Sequence, residues 1–272
     1  MTFTRSILFL CCSLSLFTAL NGCSNNQDDD KKQKTLTASA PVSGEASTVS
    51  ERNNQQRLIE TLSQHLKKAG INAKITDARP TEVPNLYWVN LEGMGTIYAT
   101  ADGQYILQGD IIRLGEKQLM NIGDGFQADL AKKAIAQLNS KDLIIYPAEN
   151  NKAKQVIYVF TDVSCPYCHK FHEQIPELNK NGIEVRYVAW PRGEEHMPLM
   201  ESIWCSADRR AAFDQALTGA ALPPATCKNP VKTQYELGLS IGVNGTPAIY
   251  SSEGVYLGGF LEAKELIKLL NN

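Results

Sequence analysis

Four consecutive residues, Cys165-Pro166-Tyr167-Cys168, carry the most specific chemistry in the chain. They follow an apolar run, Val156 to Phe160, at the point where a helix should begin, and a Cys-x-x-Cys pair in that context reads as a redox centre. A cysteine at a helix N-terminus meets unpaired backbone amides and the positive end of the helix dipole, which favour thiolate over thiol. Cys165 is therefore the expected nucleophile. Cys168 lies one turn further in, placed to attack a mixed disulfide formed by Cys165 and release the substrate, so it is the expected resolving cysteine. This chemistry needs no cofactor and no metal.

The same residue types serve other purposes. Cys165 to His169 also spells the Cys-x-x-Cys-His pattern of covalent haem attachment, but a haem would need a cavity of apolar helices, and strands flank this motif. Zinc on Cys165, Cys168, His169 or His172 would need further ligands, and no second Cys-x-x-Cys or His pair supplies them at a familiar spacing. A purely structural disulfide is a third use of the pair. His169 and His172 read as exposed helix residues rather than ligands. Cys205 and Cys227, 22 positions apart, bracket a helical segment and the Leu222-Pro223-Pro224 loop. They read as a structural disulfide, with a second redox relay as the rival use.

The elements that must position these residues follow from periodicity. Val156 to Phe160 is a strand, a helix starts at about Cys165, Val185 to Ala189 is a second strand, and Ser202 to Leu217 is helical. Ala248 to Ser251 and Val255 to Leu257 then flank Ser252-Glu253-Gly254, and Leu261 to Leu270 closes as an amphipathic helix. That order is the one expected of an α/β thioredoxin fold with a helical insert, assigned to 141–272. Upstream, Gln127 to Leu138 has helical spacing and reads as a linker helix within 125–140. Residues 51–124 form an α+β unit. Its helix from Arg57 to Ala69 ends at Gly70, and strand-like pieces at Val83 to Leu91, Gly95 to Thr100 and Gln104 to Ile112 are separated by Glu92-Gly93 and Asp102-Gly103, the latter a two-residue hairpin signal. A unit of about 70 residues often needs a partner to complete its core.

The chain has 272 residues, 43% of them hydrophobic, with 27 Lys+Arg against 29 Asp+Glu. No global field favours nucleic acid or an anionic membrane surface. At the N-terminus, Arg5 precedes an apolar run from Ile7 to Leu20, too short to span a bilayer comfortably and suited to the core of an export signal, assigned to 1–22. The junction Leu20-Asn21-Gly22-Cys23 resembles the lipobox of bacterial lipoproteins, which makes Cys23 the expected lipid anchor. Ser24 after it is the residue type that, in that class, goes with sorting to the outer membrane. Residues 23–50 are polar and read as a flexible tether.

Taken in order, Phe160-Thr161-Asp162-Val163-Ser164-Cys165-Pro166-Tyr167-Cys168-His169-Lys170, Val185 to Arg192, Ile203-Trp204-Cys205 and Gly245-Thr246-Pro247 resemble the DsbC/DsbG family of periplasmic protein-disulfide isomerases, from about Arg52 to the C-terminus. A proline at a strand start has a plain explanation of its own, since it cannot donate to the ladder. The resemblance makes Gly245-Thr246-Pro247 the cis-proline loop, with Thr246 and Pro247 pairing the substrate backbone. It further implies a V-shaped homodimer joined through the small N-terminal domain, misoxidised exported proteins as substrates, and a DsbD-like membrane reductase that keeps Cys165 and Cys168 reduced. Between the cysteines, Pro166-Tyr167 is the DsbG-like dipeptide, whereas the Cys205 and Cys227 pair is DsbC-like. Isomerase, reductase of sulfenylated cysteines and holdase chaperone are thus all activities the resemblance admits.

Overall fold

The computed structural model describes residues 44–115 and 119–271, with side chains from residue 49 onward. Its first element, α1 (Gly44–Lys68), sets Leu58, Leu62 and Leu66 on one face and buries all three. The helix stops where Gly70 takes a φ of +80°. The Gly70 amide donates to the Lys67 carbonyl and the Ile71 amide to that of Leu66, while Ile71 packs back onto the same apolar cluster. The helix already runs through 44–50, which the sequence assigns to the tether. The segment from Glu45 to Gln56 is polar but rich in good helix formers and free of Gly and Pro, so it forms helix without leaving an apolar period to read.

An antiparallel sheet follows, β1 (Ile75–Pro80), β2 (Leu86–Leu91), β3 (Gly95–Thr100) and β4 (Ile106–Leu107), in that spatial order. β2 starts later than expected because Asn85 adopts a φ of +61°, which a strand cannot continue. The Asp102-Gly103 turn is wider than a two-residue hairpin. Thr100 pairs with Tyr105, leaving 101–104 as the loop, and the Asp102 carboxylate accepts the Gln104 amide at 3.0 Å. Gly109, at φ +111°, breaks the last expected strand into β4 and β5 (Ile112–Leu114), and β5 pairs with β6 (Leu119–Asn121) as a separate ribbon. Ala78, Val89, Leu91, Ile97 and Ala99 face α1, while Leu86, Trp88 and Tyr98 on the other face meet Phe126 and Leu130 of α2 (Asp124–Ile135).

The second sheet has β11-β10-β8-β9-β7 as its order. In the chain its parts are β7 (Ile144–Tyr146), β8 (Gln155–Thr161), α3 (Pro166–His172), α4 (Ile175–Lys180), β9 (Ile183–Ala189), α5 (Met197–Trp204), α6 (Arg209–Leu217), α7 (Val231–Ser240), β10 (Ala248–Ser251), β11 (Tyr256–Gly258) and α8 (Ala263–Leu270). β8 and β9 run parallel at the centre, are covered on both faces and read accordingly as nearly unbroken apolar runs. One face packs Phe171, Leu178, Met200, Trp204, Phe213 and Leu266 from the helices that include α3 and the insert. The other packs Ala131 and Ile135 of α2 against Phe160, Val188 and Tyr250. The helical stretch expected to be continuous to Leu217 is two helices, because Asp208 leaves the helical region and caps α6 by accepting the Ala211 amide at 3.0 Å. This is the thioredoxin topology with α5 to α7 as the insert.

Candidate active site

Between β8 and α3 the chain crosses from sheet to helix through Asp162, Val163 and Ser164, and Asp162 fixes the crossing. Its fully buried carboxylate accepts the Ser164 and Arg192 amides, each at 2.8 Å, and lies 3.5 Å from Arg192 Nε. Arg192 Nη2 donates to the Ser164 carbonyl at 3.0 Å, so one guanidinium ties the carboxylate to the loop it supports. Such partners are required, since an uncompensated buried charge costs several kcal/mol. The Asp162 carbonyl accepts the Cys165 amide at 3.0 Å. Cys165 is thereby presented in extended geometry as the N-cap of α3, with Pro166 in the first turn, where its missing N–H sacrifices no helical bond.

Cys165 and Cys168 are both buried and both free thiols. The Cys165 thiol donates to the Thr246 carbonyl at 3.1 Å, and the Thr246-Pro247 peptide bond is cis. The two thiols are driven in opposite directions. Cys165 is lowered to about 5, first by a hydrogen bond from the Cys168 thiol and then, against desolvation, by the Thr246 side chain and the amides of Cys168 and Tyr167. Burial pushes Cys168 up, and an ionised Cys165 beside it adds to that. The buried Thr246 hydroxyl favours the charged form of Cys165 and the buried Thr161 hydroxyl that of Cys168, and neither has another hydrogen-bond partner. Beside the thiols, Tyr167, Thr246, Pro247, Tyr256 and Phe260 line a groove of about 320 Å³. Tyr167 is exposed, its ring 5.8 Å from that of Phe260, and Lys170 Nζ lies over the Tyr167 ring, 5.4 Å from its centre.

Of the residues singled out from sequence, the structure brings Cys165, Cys168, Thr246 and Pro247 together. Cys205, at the C-terminus of α5, is bonded to Cys227 in the loop before α7, with Cα atoms 5.6 Å apart. Cys23 lies outside the described residues. His169 and His172 are not exposed as expected: His169 Nε2 bonds the Val163 carbonyl, and α6 of the insert covers His172, whose ring lies among Tyr146, Tyr187 and Phe213. Asp162, Arg192, Thr161 and His172 carry no role in the sequence reading, because their partners lie tens of residues away and no local spacing marks them.

Comparison with known proteins places the chain among thiol:disulfide interchange proteins. Residues 26–122 match the model of the disulfide bond isomerase protein N-terminal domain, and residues 141–272 that of a thioredoxin-like domain. The thiol:disulfide interchange protein DsbC of Escherichia coli (strain K12) is 37% identical over 215 residues, covering 77% of this chain and 86% of that protein. The DsbC of Dickeya dadantii (strain 3937) is 39% identical, covering 65% and 73%. That of Pasteurella multocida (strain Pm70) is 36% identical, covering 80% and 91%.

Proposed function

The chain belongs to the DsbC family of thiol:disulfide interchange proteins, and on that premise we propose that it isomerises or reduces incorrect disulfides in exported proteins through Cys165 and Cys168. The observation that carries this reading is the opposed state of the two thiols: an acidic Cys165 against the cis-proline loop, and a buried Cys168 held protonated behind it. At neutral pH Cys165 is a thiolate able to attack a client disulfide, while Cys168 stays in reserve.

In the mechanism, a client strand lies along Thr246 and Pro247, its backbone pairing with the loop and its apolar side chains resting on Tyr167 and Phe260. Cys165 Sγ bonds to one client sulfur, the client disulfide breaks, and the departing sulfur leaves as a thiolate. That thiolate attacks a second disulfide in the client, and the client thiolate released there attacks the mixed disulfide at its client sulfur and displaces Cys165 as a thiolate, which is isomerisation. Alternatively Cys168 attacks Cys165 and releases a reduced client, after which a DsbD-like membrane reductase restores the pair. The Cys205–Cys227 bond serves as a structural staple of the insert.

Isomerisation requires holding a misfolded client through several attacks, and a homodimer supplies a cleft for it. The reading is supported by the outer strand β4, which leaves Ile106 and Leu107 exposed on an unpaired edge, as Tyr105 and Leu114 are nearby in the chain. The site of action is the periplasm, with 1–22 as export signal and Cys23 as a lipid anchor to the outer membrane. Among the described residues no helix is long and apolar enough to cross a membrane. The test is repair of a client with scrambled disulfides in a glutathione buffer. Wild-type protein restores client activity; Cys165→Ala, still folded, does not. Equal repair by Cys165→Ala would favour a holdase chaperone.

A further inference from the structure

His169, the residue that completes the Cys-x-x-Cys-His pattern, is half-buried and turned back onto the chain in front of Cys165: its Nε2 bonds the carbonyl of Val163, six residues earlier. Resting on the reading of Cys165 as the nucleophile, we propose that His169 is a positioning residue for thiol exchange, pinning the Val163 carbonyl to α3 and so holding Cys165 Sγ against the first amides of that helix.

A peptide unit is planar, so one hydrogen bond at its N–H and another at its C=O fix its orientation. Both units in front of Cys165 are held in this way. In the first, the Ser164 amide donates to the Asp162 carboxylate at 2.8 Å, and the Val163 carbonyl accepts from His169. In the second, the Cys165 amide donates to the Asp162 carbonyl at 3.0 Å, and the Ser164 carbonyl accepts from Arg192 Nη2 at 3.0 Å. Three of these four bonds go to Asp162 and Arg192, which stand just beyond the ends of β8 and β9. Of the four, the His169 bond alone reaches α3.

The link to α3 matters because that helix carries groups that favour the thiolate. Cys165 caps it at φ −88° and ψ 117°, and its carbonyl accepts the Cys168 amide at 2.9 Å and the His169 amide at 3.2 Å. The side chain of an N-cap residue accepts from the amides of the second and third helical positions. Here those are Tyr167 and Cys168, since Pro166 holds the first position and has no N–H. Both amides favour the charged form of Cys165. The two peptide planes in front of Cys165 decide where its Cα–Cβ bond points, and hence whether Sγ meets these amides. A carbonyl oxygen only accepts, so His169 Nε2 carries the proton, as it does both in that neutral tautomer and in the charged ring. The bond therefore persists across the range in which Cys165 ionises.

In the exchange, Cys165 Sγ as thiolate bonds to one client sulfur, the client disulfide breaks, and its electron pair leaves on the other client sulfur. When Cys165 is displaced, the bond from its sulfur to the client breaks and the pair returns to Cys165 Sγ. His169 gives and takes no proton in either direction. By keeping Sγ at the helix amides it raises the fraction of thiolate before attack and makes Cys165 the better leaving group on release.

The test is the pH dependence of alkylation of Cys165 in the reduced full chain, with three substitutions at His169. In His169→Gln the side-chain amide nitrogen reaches as far as the ring Nε2 and donates as it does, in His169→Asn the donor falls one methylene short, and His169→Ala has none. The wild type and His169→Gln are expected to titrate together at about 5. His169→Asn and His169→Ala are expected to titrate about one unit higher, the scale of one lost hydrogen bond, so that below both midpoints alkylation is about tenfold slower. The deficit disappears at alkaline pH, where Cys165 is ionised in every variant. Because the Gln and Asn variants differ by one methylene, their comparison stands even where His169→Ala fails to fold. Midpoints at the wild-type value in His169→Asn and His169→Ala, whatever their stability to urea, overturn the proposal. So does a His169→Gln midpoint raised as far as that of His169→Asn. A wild-type midpoint near the ordinary thiol value of 9.0 would instead overturn the reading of Cys165, and the proposal with it.

Discussion

Cys165 Sγ lies 3.1 Å from the carbonyl oxygen of Thr246, a contact that closes 81 residues of chain onto the reactive sulfur. That oxygen accepts from a thiol but repels a thiolate. Ionisation therefore exchanges it for the Cys168 thiol, the Thr246 side chain and the amides at the start of α3.

Alkylation of Cys165 in the reduced protein should titrate with a midpoint of about 5 rather than the ordinary thiol value of 9.0. Because the Cys168 thiol is the largest cause of that lowering, Cys168→Ala should move the midpoint up by roughly one unit or more. The stability consequence follows from the sign of the shift. A group lowered on folding adds stability that is complete above its unfolded value, here near 9, and is lost as pH falls through about 5. Urea unfolding of the reduced protein should therefore show stability growing across that window relative to Cys165→Ala. A midpoint near 9, or parallel pH profiles for the two proteins, would contradict this.

Replacing both Cys205 and Cys227 by Ala opens a loop of 22 residues. The chain-entropy model gives a loss of about 3 kcal/mol, read as a lower urea midpoint with a steeper slope, because the opened chain exposes more surface when unfolded. Thiol release by Cys165 should survive in the folded fraction, whereas loss of exchange without loss of stability would assign this pair to a redox relay.

On β4, Ile106→Glu and Leu107→Glu place charge on the exposed outer strand of the first sheet. Sedimentation should change from dimer to monomer, and repair of scrambled clients should fall severalfold while exchange with a small disulfide persists. A variant that remains dimeric removes this edge from the interface.

Gly254, at φ +79°, turns between β10 and β11 directly beneath α2. An added Cβ would stand 2.2 Å from the Ala128 carbonyl and 2.3 Å from the Lys132 amide. Gly254→Ala therefore combines backbone strain with a clash against helix backbone, and should cost roughly 1–3 kcal/mol or more. Thermal unfolding measures it, and a native melting temperature would show that α2 can shift freely.

Much of this was legible because the reactive pair and its strand are adjacent in the chain. Val156 to Phe160 and Cys165 to Cys168 need no distant information, and β8 and β10 announce themselves as short apolar runs. What was illegible depends on long-range packing. β1 reads Ile-Thr-Asp-Ala-Arg-Pro and buries only Ala78, so it lacks an apolar face and forms by pairing with β2. β7 is three residues long, too short for a period to register. His172 looks like any polar helix residue until α6 arrives over it, and Asp162 acquires meaning only from Arg192, 30 residues on. The boundary errors at Asn85 and Gly109 arise from positive φ, which residue type permits but does not dictate.

The most direct measurement is the oxidation state of Cys165 and Cys168 in intact cells, trapped by a thiol reagent that shifts mass. An isomerase with an acidic nucleophile must keep that sulfur free to attack, so the pair should be found mostly reduced, becoming oxidised when the membrane reductase is removed. A pair found mostly oxidised in otherwise normal cells would mean that the protein donates disulfides, and would contradict the account.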